Sequence, residues 1–484
     1  MKASYFSLLL LCSIVSFSVD TYGQSITTID NYNDWGWKTN YVAKNDFITV
    51  TVVPDAGGRV LEYNLGDVKS LWLNPKEFGR SYTNDDHVKM KDWRNFGGYR
   101  LVPIPRDNFA LNAKGDKSQR WPPPVVIGDA PYKVLSAESK VDKVTIVVQS
   151  GVQNLPVPVW FGKEKRFTQP QVEESIQYTR SLQIEDVSSK VYYIHTLKNV
   201  GKKKVKRGIM LSSQHVSWTD SLLQDGENFV AYVPFDKEHK MKGGEQFRID
   251  VTPEQRWRYI SRNRFPLDKN NPEHVKKYFN KGTNWTGEVA PGIYEAHFDY
   301  NLMGGMHMIS SKAWICYVDK TTLSAFSKSF QPFDKTLTYC EGGDVAIFNS
   351  GMETGYLETE IQTPIYTLAA GEAFDYLETH GATKLLSTPI LDVNATGIIT
   401  KKLALDVTSS TVKGEYGTFI EGTLKVKFLN GKNKEKVLSL GKVSPLKGIE
   451  VNQKIDKNST EIKVVILDKH HKEHLLDEYS KISQ

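Results

Sequence analysis

Residues Phe47–Val53 read FITVTVV, Pro54–Gly58 read PDAGG and Arg59–Leu65 read RVLEYNL. The first and last runs alternate with a period of two and are rich in Val, Ile, Thr and Tyr, which suit a pleated, half-buried surface. The Pro-Asp-Ala-Gly-Gly segment between them is turn chemistry, so the stretch predicts a β-hairpin. The same pattern recurs at Val144–Gln149, Glu173–Ile184, Lys190–Asn199, Arg207–Trp218, Gly292–Tyr300, Gly305–Ser310, Ala313–Val318, Leu323–Phe330, Asp344–Asn349, Gly355–Gln362 and Ala373–His380. So many strand-like runs in one stretch predict an all-β fold, a large antiparallel sandwich. Only Asn271–Asn280 and the tail near His470–Tyr479 have a helical look. The segment Trp72–Pro131, rich in Pro, Gly, Trp and charge, breaks the alternation and reads as long ordered loops.

Composition shifts near Leu386–Asn394, beyond which Lys becomes frequent and aromatics nearly vanish. Runs at Leu403–Val407, Thr418–Phe428, Lys436–Leu440 and Glu461–Leu467, with Asn430-Gly431-Lys432 as a hairpin turn, predict a small immunoglobulin-like or fibronectin-like β-sandwich over residues 391–484. The large sandwich then occupies residues 24–388.

The chain has 484 residues, and its 10 Trp, 23 Tyr and 21 Phe exclude wholesale disorder. Its 35 Gly show no triplet period, which excludes collagen. A net charge of +6 is mild for this length and does not suggest a nucleic-acid partner. The densest basic run, Lys202–Arg207, follows the turn signal Asn199-Val200-Gly201 and reads as a solvated hairpin tip.

Met1-Lys2, the apolar stretch Leu8–Val19 and Thr21-Tyr22-Gly23-Gln24 have the order of a secretory signal peptide, with cleavage expected after Gly23. The apolar run is short for a membrane span, and Leu11 before Cys12 argues against a lipoprotein. An exported and soluble protein, in the periplasm, is the expectation. Two cysteines then remain, Cys316 and Cys340, and a disulfide or two buried thiols are both open.

Two strand-borne groups could carry chemistry. Gln214-His215-Val216-Ser217-Trp218-Thr219 ends a strand in adjacent amide, imidazole and indole groups, and His can give or take a proton. In Tyr356-Leu357-Glu358-Thr359-Glu360-Ile361-Gln362, alternation puts Glu358, Glu360 and Gln362 on one face. Two carboxylates on one face repel and can raise one pKa, which suits an acid or base. His195, among aromatics in a strand, reads as packed core. No Cys–His pattern has zinc spacing, no Gly-rich phosphate loop is present, and no metal or other cofactor is called for.

Taken in order, these motifs resemble the galactose-mutarotase-like (aldose-epimerase) superfamily over roughly Tyr41–Thr383. Val53-Pro54-Asp55-Ala56-Gly57-Gly58-Arg59-Val60 is similar to its opening hairpin. Thr196-Leu197-Lys198-Asn199 and then Gln214–Thr219 are similar to its "T-L-x-N" and "H-x-x-aromatic-N" strands. Gly355-Tyr356-Leu357-Glu358-Thr359-Glu360 is similar to "G-x-x-E-T-Q", and Leu368-Ala369-Ala370-Gly371-Glu372 to the closing "L-x-P-G-E". Gly97–Pro105 and Trp121-Pro122-Pro123-Pro124 resemble a bacterial subfamily of unknown function within it. Thr219 stands where Asn is usual and Glu360 where Gln is usual. The family's Asn-Arg pair has no evident counterpart, which leaves Arg59, Arg100 and Arg106 as stand-ins.

The resemblance implies a β-supersandwich and a sugar epimerase or mutarotase. His215 would protonate the ring oxygen, and Glu358 or Glu360 would take the proton of the anomeric hydroxyl. Trp93, Trp121 and Trp218 would stack on sugar faces, Arg100 and Arg106 would hold hydroxyls or a carboxylate, and Arg59 and Gln214 would also bind the sugar. The partner is a mono- or oligosaccharide. Two rivals remain. One is a non-catalytic carbohydrate-binding protein of the same fold. The other is a polysaccharide lyase or glycosidase, which would need a second carboxylate such as Asp92, Asp107 or Asp220.

Overall fold

The computed structural model describes residues 24–481, apart from 83–93, 113, 119–122, 162–163, 169, 218–227, 239, 242–247, 250–269, 273–284, 299–303, 351–354 and 430–433. The fold is all-β, and the ladders between the described strands are antiparallel. A 12-stranded sheet runs in the order Ser25–Ile29, Asn40–Lys44, Ile48–Val53, Arg59–Leu65, Tyr99–Ile104, Val205–Val216, Tyr356–Gln362, Val345–Asn349, Gly304–Met308 and Arg248–Ile249, with two short strands beside this path. An 11-stranded sheet faces it. Its centre is Trp314–Asp319, Ser324–Ser329, Ala373–Lys384, Val191–Asn199 and Glu174–Glu185. One hydrophobic core joins the inner faces, with Val50, Leu101, Leu211 and Ile361 from the first sheet against Ile146, Leu182, Leu197 and Phe326 from the second. The opening hairpin and the eleven alternating runs all contain strands.

Three expectations are corrected. The tail is a strand, Glu473–Ser480, not a helix. Its adjacent Leu475 and Leu476 break strict alternation, and the ladder absorbs this in a register shift at Val464/Val465 that buries Leu476. The basic segment after Asn199 is no hairpin tip, because Val191–Asn199 and Val205–Val216 belong to different sheets. It is an arch across the sandwich, and Lys202, Lys203 and Lys204 are exposed on it. The Trp72–Pro131 segment is not all loop. It contains Tyr99–Ile104, a fully buried central strand. The run Asn271–Asn280 falls almost wholly outside the described residues, as do residues 1–23 and the turn at 430–432.

Beyond residue 391, two four-stranded sheets stack on each other. Their core continues onto the outer face of the 11-stranded sheet, where Tyr232, Trp314, Cys316 and Val318 meet Ile398, Tyr416, Phe419 and Ile466. Gly381 allows this approach, since a Cβ there would lie 2.8 Å from the Phe419 ring. Cys316 and Cys340 are free thiols, so the bridge is not formed. Among the described residues no helix is long and apolar enough to cross a membrane.

The sandwich interior also holds charge. Glu378 is fully buried and accepts hydrogen bonds from His195 Nε2 (3.1 Å), His380 Nε2 (2.8 Å) and the Tyr99 hydroxyl. Tyr178 donates to His195 Nδ1 at 2.6 Å. Lys328 and Arg180 lie in the same layer, each over the Tyr99 ring at about 5 Å. Burial pushes His195 down to about 4 and lowers His380 and His215, so all three imidazoles are neutral at pH 7. Glu378 is desolvated too, yet the neighbouring imidazoles and Lys328 hold it well below the usual carboxylate range.

These depressed histidines make stability depend on pH. The unfolded chain binds protons at His near pH 6.5, whereas folded His195 takes one only near 4. Stability is therefore complete above about pH 6.5 and is lost as pH falls toward 4. Urea unfolding followed at pH 7.5, 6.5, 5.5 and 4.5 should show this loss. H195Q should flatten the slope between 6.5 and 5, and an unchanged slope would remove His195 from the account.

Candidate functional site

The centre of the 12-stranded sheet is Tyr99–Ile104, Val205–Val216 and Tyr356–Gln362 side by side. Directly opposed residues in an antiparallel pair share a face, and neighbours along a strand alternate. The register pairs Ser212 with both Arg100 and Glu360, and Gln214 with Glu358. Glu360 pairs onward with Ala346, and Ala346 with His307. Arg100, Ser212, Glu360, Ala346 and His307 therefore form one cross-strand row. Gln214, Glu358 and Phe348 form the next.

This is the outward face. The residues between these positions, Tyr99, Ser213, His215 and Thr359, point into the sandwich. His215 stacks on Tyr317 of the opposite sheet with ring centroids 4.2 Å apart and an interplanar angle of 5°. Its Nε2 lies 2.9 Å from the Thr359 hydroxyl. His215 and Glu358 thus lie on opposite sides of one sheet, and a single sugar ring cannot bridge them. His215 is also held in its neutral form by burial and by Lys328, which disfavours an imidazolium acid. The pairing of His215 with Glu358 or Glu360 is accordingly corrected: His215 belongs to the interior layer.

The outward face supplies a different imidazole. His307, in Gly304–Met308, is 4% exposed, and its Nδ1 lies 3.2 Å from the Gln362 amide nitrogen. Nothing in the spacing of the motifs singled out His307. The available signal was the alternation of Gly305-Met306-His307-Met308, which sets the His opposite to Met306 and Met308.

Glu358 and Glu360 are 8% and 7% exposed. Gln214 donates from Nε2 to Glu358 Oε1 at 2.7 Å and fixes that carboxylate. Tyr356, two residues earlier on the same face, accepts a hydrogen bond from Asn95 at 3.3 Å, and its hydroxyl is pushed up by burial and Glu358. Ser212 and Ala346 are the small members of the row. Strands lie about 4.8 Å apart, so Arg100, Glu360 and His307 recur at about 10 Å, with short side chains in each gap. The row thus alternates long polar groups with short side chains, and its members are buried, Arg100 and Ser212 included. Among the described residues no three His, Cys, Asp or Glu side chains converge as a metal-ligand set.

Arg100 reaches this face because two glycines precede its strand. Gly97 and Gly98 have φ of +87° and +75°. A Cβ at Gly97 would lie 2.2 Å from the Trp72 carbonyl oxygen, and one at Gly98 2.4 Å from that of Val60. The glycines let the Trp72 segment pair against the end of Val205–Val216, where Trp72 N–H donates to Gln214 O at 2.8 Å.

The other binding candidates separate. Arg59 is fully buried, ion-paired with Asp129, and donates to Gly97 O at 2.8 Å, so it supports the turn and does not line the face. Arg106 lies beyond Ile104, more than roughly 13 Å along the strand from Arg100, and sits 3.7 Å from Glu341. Trp93, Trp121 and Trp218, with Asp92 and Asp220, lie outside the described residues.

No protein-family model matches the chain, and no curated protein does. The solved structures it resembles include galactose mutarotase-like proteins. One from Clostridium acetobutylicum is 13% identical, with 75% of this chain and 99% of that chain covered and a TM-score of 0.42. Another from Lactobacillus casei is 10% identical, covering 74% and 100%, with a TM-score of 0.40. A TPR-domain containing protein from Parabacteroides distasonis is 11% identical, covering 77% and 55%, with a TM-score of 0.39.

The assignment of Arg59 yields a stability prediction. Removing one partner of a buried ion pair strands the other, at a cost of about 3–5 kcal/mol. R59A should lose that much in urea unfolding at pH 7.5. A loss under 1 kcal/mol would show that Arg59 does not support the turn.

Proposed function

We propose that this chain is an exported carbohydrate protein whose site is the outward face of the 12-stranded sheet, and that it interconverts sugar anomers there. The observation that carries the proposal is the single row of Arg100, Ser212, Glu360 and His307, with Glu358 and Gln214 beside it. Such a bed of guanidinium, amide, hydroxyl and carboxylate matches the dense hydroxyls of a sugar. The resemblance of the sequence motifs to the aldose-epimerase superfamily supports the same reading.

In this reading Glu360 takes the proton of the anomeric hydroxyl. His307, in its protonated form, donates the Nε2 proton to the ring oxygen and becomes neutral as the bond between that oxygen and the anomeric carbon breaks. Rotation of the freed aldehyde about the adjoining carbon–carbon bond, followed by the reverse proton transfers, closes the other anomer. Arg100, Gln214 and Ser212 hold hydroxyls and keep the ring over the row. Each placed proton-transfer group typically contributes about 10²–10⁴-fold.

Saturation-transfer NMR of α/β exchange on a panel of hexoses tests this. E360Q and H307N should each lower the exchange rate by about 10²-fold or more while sugar still binds. H215N should instead act on stability. Exchange no faster than buffer for every sugar would remove the reaction. Exchange lost in H215N but intact in H307N would reverse the assignment of the acid.

A further inference from the structure

The same outward face carries a cleft that the acid–base row does not use. A cleft of about 740 Å³ opens beside the site, between the Arg59–Leu65 strand and the Trp72 segment. It is contiguous with the row. Val216, which lines it, lies one outward position beyond Gln214 and pairs with Tyr356. Trp72, which also lines it, lies with its ring 4.8 Å from that of Tyr356. A pyranose displaces roughly the volume of six waters, about 180 Å³ at ~30 Å³ each, so the cleft has room for more than one ring.

The lining is mixed. Trp72 is partly exposed and offers an aromatic face, with Leu61 and Phe78 near it. Glu62, 7% exposed, is fixed at both oxygens: Thr51 donates to Oε2 and Asn64 to Oε1, each at 2.6 Å. On the rim, Asn33 and Asp34 are held with φ of 51° and 58°, a left-handed conformation that costs energy in a residue with a side chain. Strained, preset polar groups around one aromatic face suit a rigid, hydroxyl-bearing ligand. Two carboxylates here against Lys69 disfavour an acidic one.

We propose that this cleft is a second subsite and that the ligand is a neutral oligosaccharide. One ring sits over the Arg100–Glu360–His307 row, and the rings that follow stack on Trp72 and donate hydroxyls to Glu62. The proposal rests on the sugar reading of that row.

Calorimetric titration of the full chain tests it, using gluco-, galacto- and manno-configured sugars of one to four rings and oligouronates of the same lengths. For one neutral configuration, affinity should rise about tenfold or more from one ring to three, the scale of burying one stacked ring. W72A should abolish that increment, and the milder E62Q should cut it severalfold. Affinity independent of length, an increment untouched by W72A, or tighter binding of oligouronates would overturn the proposal. Monosaccharides that bind and exchange anomers with no gain from length would sink the subsite and leave the row standing. No binding of any sugar at any length would remove both.

Discussion

The structure depends on the alternation of side chains along Val205–Val216. This strand is the midline of the larger sheet, and it sends Ser212 and Gln214 outward while Ser213 and His215 turn inward. A shift of one residue in its register would exchange the two sets. The neighbours on both sides obey the same parity, so one strand fixes which groups of Tyr99–Ile104 and Tyr356–Gln362 meet a ligand and which meet the opposite sheet.

The two polar sets on either side of the sheet are not independent. Lys328 crosses the interior and donates from Nζ to the carbonyl of Thr359 at 2.8 Å, between Glu358 and Glu360. It is fully buried, and burial pushes it down to about 8 in spite of Glu378, Glu360 and Glu358 nearby. Its ammonium therefore lies directly behind the strand that carries Glu358 and Glu360. The inner layer therefore couples packing to the electrostatics of the outer face, and Glu378 with its histidines holds that cation in place.

Much of the fold was legible in the sequence because period-two alternation survives wherever one strand face is buried. The same rule grouped Glu358, Glu360 and Gln362 correctly on one face. It failed at Tyr99–Ile104, where Gly97, Gly98 and Pro103 carry the signs of a loop although the strand is central and buried. It failed again at His215, because adjacency with Gln214 in sequence means opposite faces in a strand. His307 was missed because it reaches the row only through two ladder pairs, His307–Ala346 and Ala346–Glu360, that no local pattern reveals.

The shared core behind the 11-stranded sheet has a consequence of its own. A chain cut at residue 390 would bare Trp314, Cys316 and Val318 as one broad greasy surface, together with the Gly381 notch that Phe419 fills. Such a fragment would be expected to clump in solution even with its ligand face intact. The C-terminal sheets therefore act less as an appended tag than as the back wall of the molecule.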